Sequence, residues 1–200
     1  MNDKTEDYIL RPASVEDVNK LARLYRVGSA GLMDAVYANS EAGLSTTQVL
    51  EKRIADPHSV FGYTSFEVAT VQSRIVGQIC TFPEEALDTE RLYRHLSADR
   101  RAILETINSI NYPGSLYIST IMVSRSHRGT NIVRNLLQHA ESKARRLDLE
   151  SVSIHAFGDN SAAISLYCRM GYKIYDSKQL PPDPALVYSG PILLLAKEID

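Results

Sequence analysis

The chain has 200 residues, 44% of them hydrophobic, with a formal charge of -2 and a pI near 6.2. That length and apolar content suffice for one well-buried core, so one domain over 1–200 is predicted, and the charge lacks the basic excess that holds a nucleic-acid backbone nonspecifically. Two cysteines, Cys80 and Cys168, with no CxxC pair and no His/Cys cluster at ligand spacing, point away from disulfides and metals and toward a reducing, cytoplasmic setting.

The leader Met-Asn-Asp-Lys-Thr-Glu-Asp is polar and acidic where a signal peptide needs a basic start and an apolar run. No segment reaches the roughly 20 apolar residues of a membrane span, so a soluble protein with no membrane partner is expected. Tyr8–Pro12 reads as a short strand stopped by proline. Ser14 with Asp17 three residues on is an acidic variant of a capping box, ahead of Val18, Leu21, Ala22, Leu24 and Tyr25 at helical spacing. A second helix is predicted from Ser45 to about Ala55. The connection between them, Gly28–Gly43, carries few signals and is a candidate wall of a substrate cleft.

From Val60 to Phe82 β-branched and aromatic runs flank the polar pair Gln72-Ser73, the pattern of an antiparallel hairpin. Residues 83–114 are charged with apolar positions at helical spacing and end in the breaker Asn-Tyr-Pro-Gly, which predicts a helical insertion packed on the rim. A strand over Leu116–Val123, a helix over Asn131–Leu147, a strand over Ser151–Phe157 and a helix over Ser161–Met170 follow, giving parallel strands with helical crossovers. Asp176–Pro184 is read as a polar, proline-rich loop and Ile192–Ala196 as a closing strand. The fold class predicted is therefore a mixed α/β sheet, antiparallel in its N-terminal half with a parallel pair after it.

The densest signal is Ser115–Tyr172. A strand running into Arg128-Gly129-Thr130-Asn131-Ile132-Val133 and then a helix presents backbone N–H groups and a partial positive charge, which favour a phosphate-bearing ligand. Arg128 and Arg134 flank the turn as candidate phosphate contacts, while Gly129 to Val133 would contribute mainly main-chain donors. Asn160 is a candidate helix cap. Tyr167 is, by its position on the helix alone, a core aromatic. Cys168 is read as a buried, inert thiol, and the run Lys143-Ala-Arg145-Arg146 as a solvated face.

With these residues the chain resembles the GNAT superfamily of N-acyltransferases, whose members transfer an acyl group, usually acetyl from acetyl-CoA, to an amine. The family's Arg-Gly-x-Gly-Ile-Gly turn after a strand-ending valine is similar to Val123 followed by Arg128-Gly129-Thr130-Asn131-Ile132-Val133, with Asn131 and Val133 replacing two glycines. Its second block, an Asn, an Ala three on, a Tyr seven on and a Gly-aromatic close, is met by Asn160, Ala163, Tyr167, Gly171 and Tyr172. Tyr188, Gly190 and the Leu-Leu-Leu-Ala-Lys197 ending add a weaker likeness.

The resemblance implies a GNAT-like fold whose parallel strands splay at the cofactor site. It also implies main-chain contacts to pantetheine from Ile121 and Val123, a cofactor-binding role for Asn160 and Ala163, and Tyr167 as the acid that protonates the departing CoA thiolate. Direct attack by a primary amine in a ternary complex is the implied reaction, with acetyl-CoA as co-substrate and no metal. The carboxylate base common in the family is replaced here by Ser119 and Thr120, which leaves Glu67, Glu84, Glu85 and His155 as candidates. Dimers are common in the family, so a homodimer is a state the resemblance allows. Two other readings stay open: a degenerate, non-catalytic CoA sensor or interaction protein, and an enzyme for a longer acyl donor. The acceptor carries no recognisable code.

Overall fold

In this computed structural model residues 8–94 and 96–199 are described; the polar leader read above lies outside them. The strand segments assemble into one seven-stranded sheet in the order β1-β2-β3-β4-β5-β7-β6. These strands are β1 (Ile9–Pro12), β2 (Phe66–Val71), β3 (Arg74–Pro83), β4 (Ser115–Val123), β5 (Ser151–Phe157), β6 (Lys173–Lys178) and β7 (Ile192–Glu198). Every neighbouring pair is antiparallel except β4 and β5, which run parallel. The hairpin between β2 and β3 turns on Gln72 and Ser73, whose φ angles of 48 and 64 are those of a primed turn matched to the right-handed strand twist.

Seven helices cover the described sheet. They are α1 (Val18–Gly28), α2 (Leu32–Tyr37), α3 (Thr46–Ala55), α4 (Thr89–Tyr93), α5 (Ala98–Asn108), α6 (Ile132–Arg146) and α7 (Ser161–Arg169). Ser45 and Gln48 form a capping box at the start of α3. Ser14 and Asp17 form the other, but what it opens is a single 3-10 turn, Val15–Asp17, before α1. The carboxylate of Asp17 also takes Arg11 at 2.7 Å, which ties the end of β1 to that turn.

Period-two alternation sends neighbouring strand residues to opposite faces, and this builds two cores. Leu21, Val36, Ile54, Phe66, Val68, Phe82, Ile107 and Leu194 pack on the face covered by α1 to α5. Val76, Ile79, Leu116, Ile118, Leu136, Val152, Ile154 and Leu195 pack under α6 and α7. Adjacent Leu194 and Leu195 thus serve different cores, each fully buried side chain contributing about 1.5–3 kcal/mol.

Four sequence expectations are corrected. The 83–114 segment is helical, as α4 and α5, but Leu92, Ile103, Leu104 and Ile107 are buried in the first core, so it is part of that core and not a rim element. The loop read from Asp176 begins instead with strand: β6 runs to Lys178, and because all six of its residues are exposed it carries no apolar alternation to betray it. Lys143 is not solvated with its neighbours, since its ammonium turns in to Glu67 at 3.0 Å and Thr81 at 2.8 Å. Cys168 is exposed; the buried thiol is Cys80.

Candidate functional site

The site is created by a parting of strands. β4 and β5 pair only from Ser115–Ser151 to Ile118–Ile154. At the next residue β4 bulges: Cys80 of β3 faces Thr120 and Thr81 faces Ile118, so Ser119 is the extra residue. A bulge bends its strand and raises the local twist. Beyond it, Ser119–Val123 stays with β3 while His155–Phe157 stays with β7, leaving the inner edge of β4 without a strand partner. Tyr25 on α1 pins the bulge, its hydroxyl 2.6 Å from that of Ser119.

A cavity of about 160 Å³ opens into this gap. Its floor is Ser119, Thr120 and Ile121 of β4 with Ile154 to Phe157 of β5, and its far side is Asn160, Ala163 and Tyr167 on α7 and its cap. The remaining wall comes from α1 to α5, the loop residues Phe61 and Leu87 and Tyr117 of β4, and is largely apolar, with Tyr25, Ser29, Tyr37, Arg53, Asn108 and Tyr117 as polar members. Asn160 caps α7, its Oδ1 accepting from the N–H of Ala163 at 3.3 Å. Burial pushes the Tyr167 phenol well above its ordinary value, so it is protonated throughout the physiological range.

A second cleft, about 170 Å³, lies on the turn and is lined by Ile121, Met122, Val123, His127, Arg128, Gly129, Thr130 and Val133. Ile121, on the stretch of β4 without a β5 partner, borders both spaces. Gly129 holds the left-handed conformation, φ 79, with open space where a Cβ would stand. Thr130 donates to the carbonyl of His127 at 2.7 Å and orders the turn. Asn131 is at φ -76 and Val133 is the second residue of α6, so neither replaced glycine sits where a left-handed backbone is needed. Val133 packs toward the second core, and the first-turn N–H groups of Val133 and Arg134 have no intrahelical acceptor. Arg128 and Arg134 are exposed beside them.

Of the candidate bases, only His155 borders the cavity. Glu67 is bound to Lys143 under α6, and Glu85 accepts from the N–H of Gly114. Glu84 lines a small neighbouring cleft that shares Tyr117 and His155 with the cavity, and burial followed by the nearby Glu85 raises its carboxyl. His155 is fully engaged: Nε2 donates to the carbonyl of Ile110 at 2.9 Å, which leaves Nδ1 to accept from the Tyr117 hydroxyl at 3.1 Å. Among the described residues no group of three metal-ligating side chains gathers.

Burial pushes His155 down to about 4 from a free value of 6.5. Its folded value is depressed, so its contribution to stability is complete above about pH 6.5 and is lost as the pH falls toward 4. The wild type should lose about 3 kcal/mol of unfolding free energy over that window through this residue. Urea denaturation at pH 7 and pH 4.5 checks it: His155→Gln should show a visibly shallower loss, and parallel losses would clear His155.

Residues 44–172 match the family described as Acetyltransferase (GNAT) family. The chain belongs to the GNAT acetyltransferase family. A segment of this GNAT chain is 38% identical over 72 residues to GCN5-related N-acetyltransferase 6, chloroplastic, of Arabidopsis thaliana. That match covers 34% of the chain and 25% of the relative, so the chain spans about a quarter of that protein's length. Among solved structures, an N-acetyltransferase from Staphylococcus aureus Mu50 superposes with a TM-score of 0.68 at 21% identity over 94% of this chain and 100% of the other. The Drosophila melanogaster polyamine N-acetyltransferase gives 0.68 at 16% over 96% and 100%. YncA of Salmonella typhimurium, solved with acetyl-CoA as its cofactor, gives 0.61 at 15% over 97% and 95%. These likenesses establish the fold, a mixed sheet with β4 and β5 parallel. Among the described residues no helix is long and apolar enough to cross a membrane.

The structure brings Tyr167, Asn160, Ala163 and Ile121 to one cavity and Val123, Arg128, Gly129, Thr130 and Val133 to the adjoining cleft. Asn131, Ile132 and Arg134 stand at the start of α6 beside that cleft, with the side chain of Ile132 buried in the second core. Tyr25, Arg53, Tyr117 and Ser119 were not among the candidates. Tyr117 had a readable signal, since it faces away from Leu116 and Ile118 along β4; Arg53 had none.

Proposed function

We propose that this chain forms one acyltransferase domain and transfers acetyl from acetyl-CoA to a primary amine, by direct attack within a ternary complex and without a covalent enzyme intermediate. The observation that carries this reading is that the turn cleft and the cavity bearing Tyr167 both border Ile121, on the stretch of β4 that has parted from β5. The residues present fit the co-substrate: the space over Gly129 lets phosphate oxygens approach the backbone, and the first-turn N–H groups of α6 point there. Gly129, Thr130, Asn131, Ile132 and Val133 would hold the diphosphate by main chain, Arg128 and Arg134 by charge, and the free edge at Ile121 and Val123 would bond pantetheine. When bound, acetyl-CoA supplies the activated acyl group.

The chain's own part is to place the amine and to supply a proton. The Tyr117 hydroxyl donates to His155 Nδ1, so its oxygen keeps lone pairs to accept an N–H from the amine. Tyr167 donates its phenolic proton to the sulfur as the carbon–sulfur bond breaks, the proton shed by the acylated nitrogen is released to water and Tyr167 is reprotonated from solvent, and Asn160 and Ala163 set the height of α7 at that point. Both cysteines are free, which supports a reducing, cytoplasmic compartment.

Calorimetric titration with acetyl-CoA, with CoA as comparison, tests the binding half. Micromolar affinity is expected, weakened about tenfold in Arg128→Ala through loss of one charge-assisted contact. No heat from either ligand would sink the reading. A second reading, a CoA sensor without catalysis, draws on the lack of a carboxylate among the described residues of the cavity wall. Binding without transfer to any amine would select it.

A further inference from the structure

We infer that the acceptor is an apolar amine bearing a carboxylate, of the size and chemistry of a hydrophobic amino acid, and that Arg53 receives that carboxylate; this deepens the acetyl-transfer reading and rests on it. The cavity wall is the first ground. Among its described residues no Asp or Glu appears, His155 is held neutral in its hydrogen bonds, and Arg53 is the one permanently charged side chain. The rest is Leu32, Met33, Leu50, Ile54, Phe61 and similar groups, which match an aliphatic or aromatic body. A polyamine would bring two or more cations into this wall beside a guanidinium with no counter-ion, and like charges in a desolvated space repel strongly.

The second ground is how Arg53 is held. Carboxylates nearby in the chain are engaged elsewhere: Asp34 with Arg26 at 2.9 Å, Asp56 with Arg91 at 2.9 Å, and Glu41 with Lys52 at 2.7 Å. Among the described residues none lies within ion-pair distance of Arg53. Its guanidinium carbon instead stands 5.0 Å over the ring of Tyr37, another wall residue. A cation–π contact of this kind holds the guanidinium against the ring while leaving N–H donors for a carboxylate. A permanently charged group stacked on the wall of an otherwise apolar, carboxylate-free cavity is complementary to a substrate anion.

The test compares acetyl transfer to L-phenylalanine, to phenethylamine, which lacks only the carboxylate, and to spermidine. The expected kcat/KM for L-phenylalanine exceeds that for phenethylamine by at least tenfold, and spermidine falls below both. Arg53→Gln should bring the ratio of the first two close to one, and Arg53→Lys, which keeps the charge but not the planar fork, should give an intermediate ratio. Preference for phenethylamine or spermidine, or an unaltered ratio in both variants, would overturn the assignment while leaving acetyl transfer intact. No turnover of L-phenylalanine, with acetyl-CoA shown to bind, would overturn the assignment, whereas only a broad panel of primary amines without turnover would overturn acetyl transfer itself.

Discussion

Replacing Tyr167 with phenylalanine should lower kcat for acetyl transfer roughly 10²–10⁴-fold, the range lost when a positioned general acid is removed. The substitution deletes one oxygen and keeps the ring, which packs against Tyr172 at 6.0 Å between centroids and belongs to the second core, so the fold is retained. Acetyl-CoA affinity should stay within about twofold, because the turn cleft that would hold the phosphates does not include this residue. The phenol is held protonated by burial, so the wild-type rate should show no fall through titration of Tyr167 below pH 9. Steady-state kinetics paired with calorimetry on the variant decide the matter. Unchanged turnover would remove Tyr167 from the chemistry and reduce it to a packing residue.

Gly31→Ala should destabilise the protein by about 3 kcal/mol or more, among the larger effects of a single methyl group. Gly31 precedes α2 with a φ of 89, a left-handed geometry that costs an L-residue about 1–2 kcal/mol by itself. An added Cβ would also stand 1.9 Å from the carbonyl oxygen of Ala185, a backbone atom with no rotamer to yield. The neighbouring Ala30 carbonyl accepts from the N–H of Val187 at 3.0 Å, so the clash pushes the 185–187 segment and α2 apart at a joint that several cavity residues depend on. For a chain of this size the melting temperature should fall about 6–12 °C. Gly43→Ala is the control: its φ is 76 but its Cβ position is empty, so only the conformational cost remains. Equal melting temperatures for the two variants would show that the contact with Ala185 yields without cost.

Much of the candidate site was legible because its parts are contiguous. The turn at Arg128–Val133 and the block from Asn160 to Tyr172 each lie within a dozen or so residues, and local spacing, caps and glycines report such units directly. The elements of the sheet were legible where one face is buried, and β6 was missed where neither is. The bulge at Ser119 has no mark in the sequence, since it is a property of register between β3 and β4 and not of either strand. Glu67 was a reasonable base by type and position, yet sheet register put it under α6 with Lys143, on the far side from the cavity.

By itself, then, the sequence determined the family-like blocks, the order of the strands up to β5 and the helices that flank them apart from α2, which lies in the connection without signals, because each is encoded by near neighbours in the chain. Tertiary structure decided which residues share a space. Tyr25 and Ser119, 94 positions apart, meet at 2.6 Å, and His155 reaches Ile110 and Tyr117 across 45 and 38 positions. Arg53, Tyr37 and Tyr167 face one cavity from three helices. The physical reason is that a side chain's partner across a sheet or a cavity is set by register and packing of whole elements, and those depend on every contact in the two cores at once.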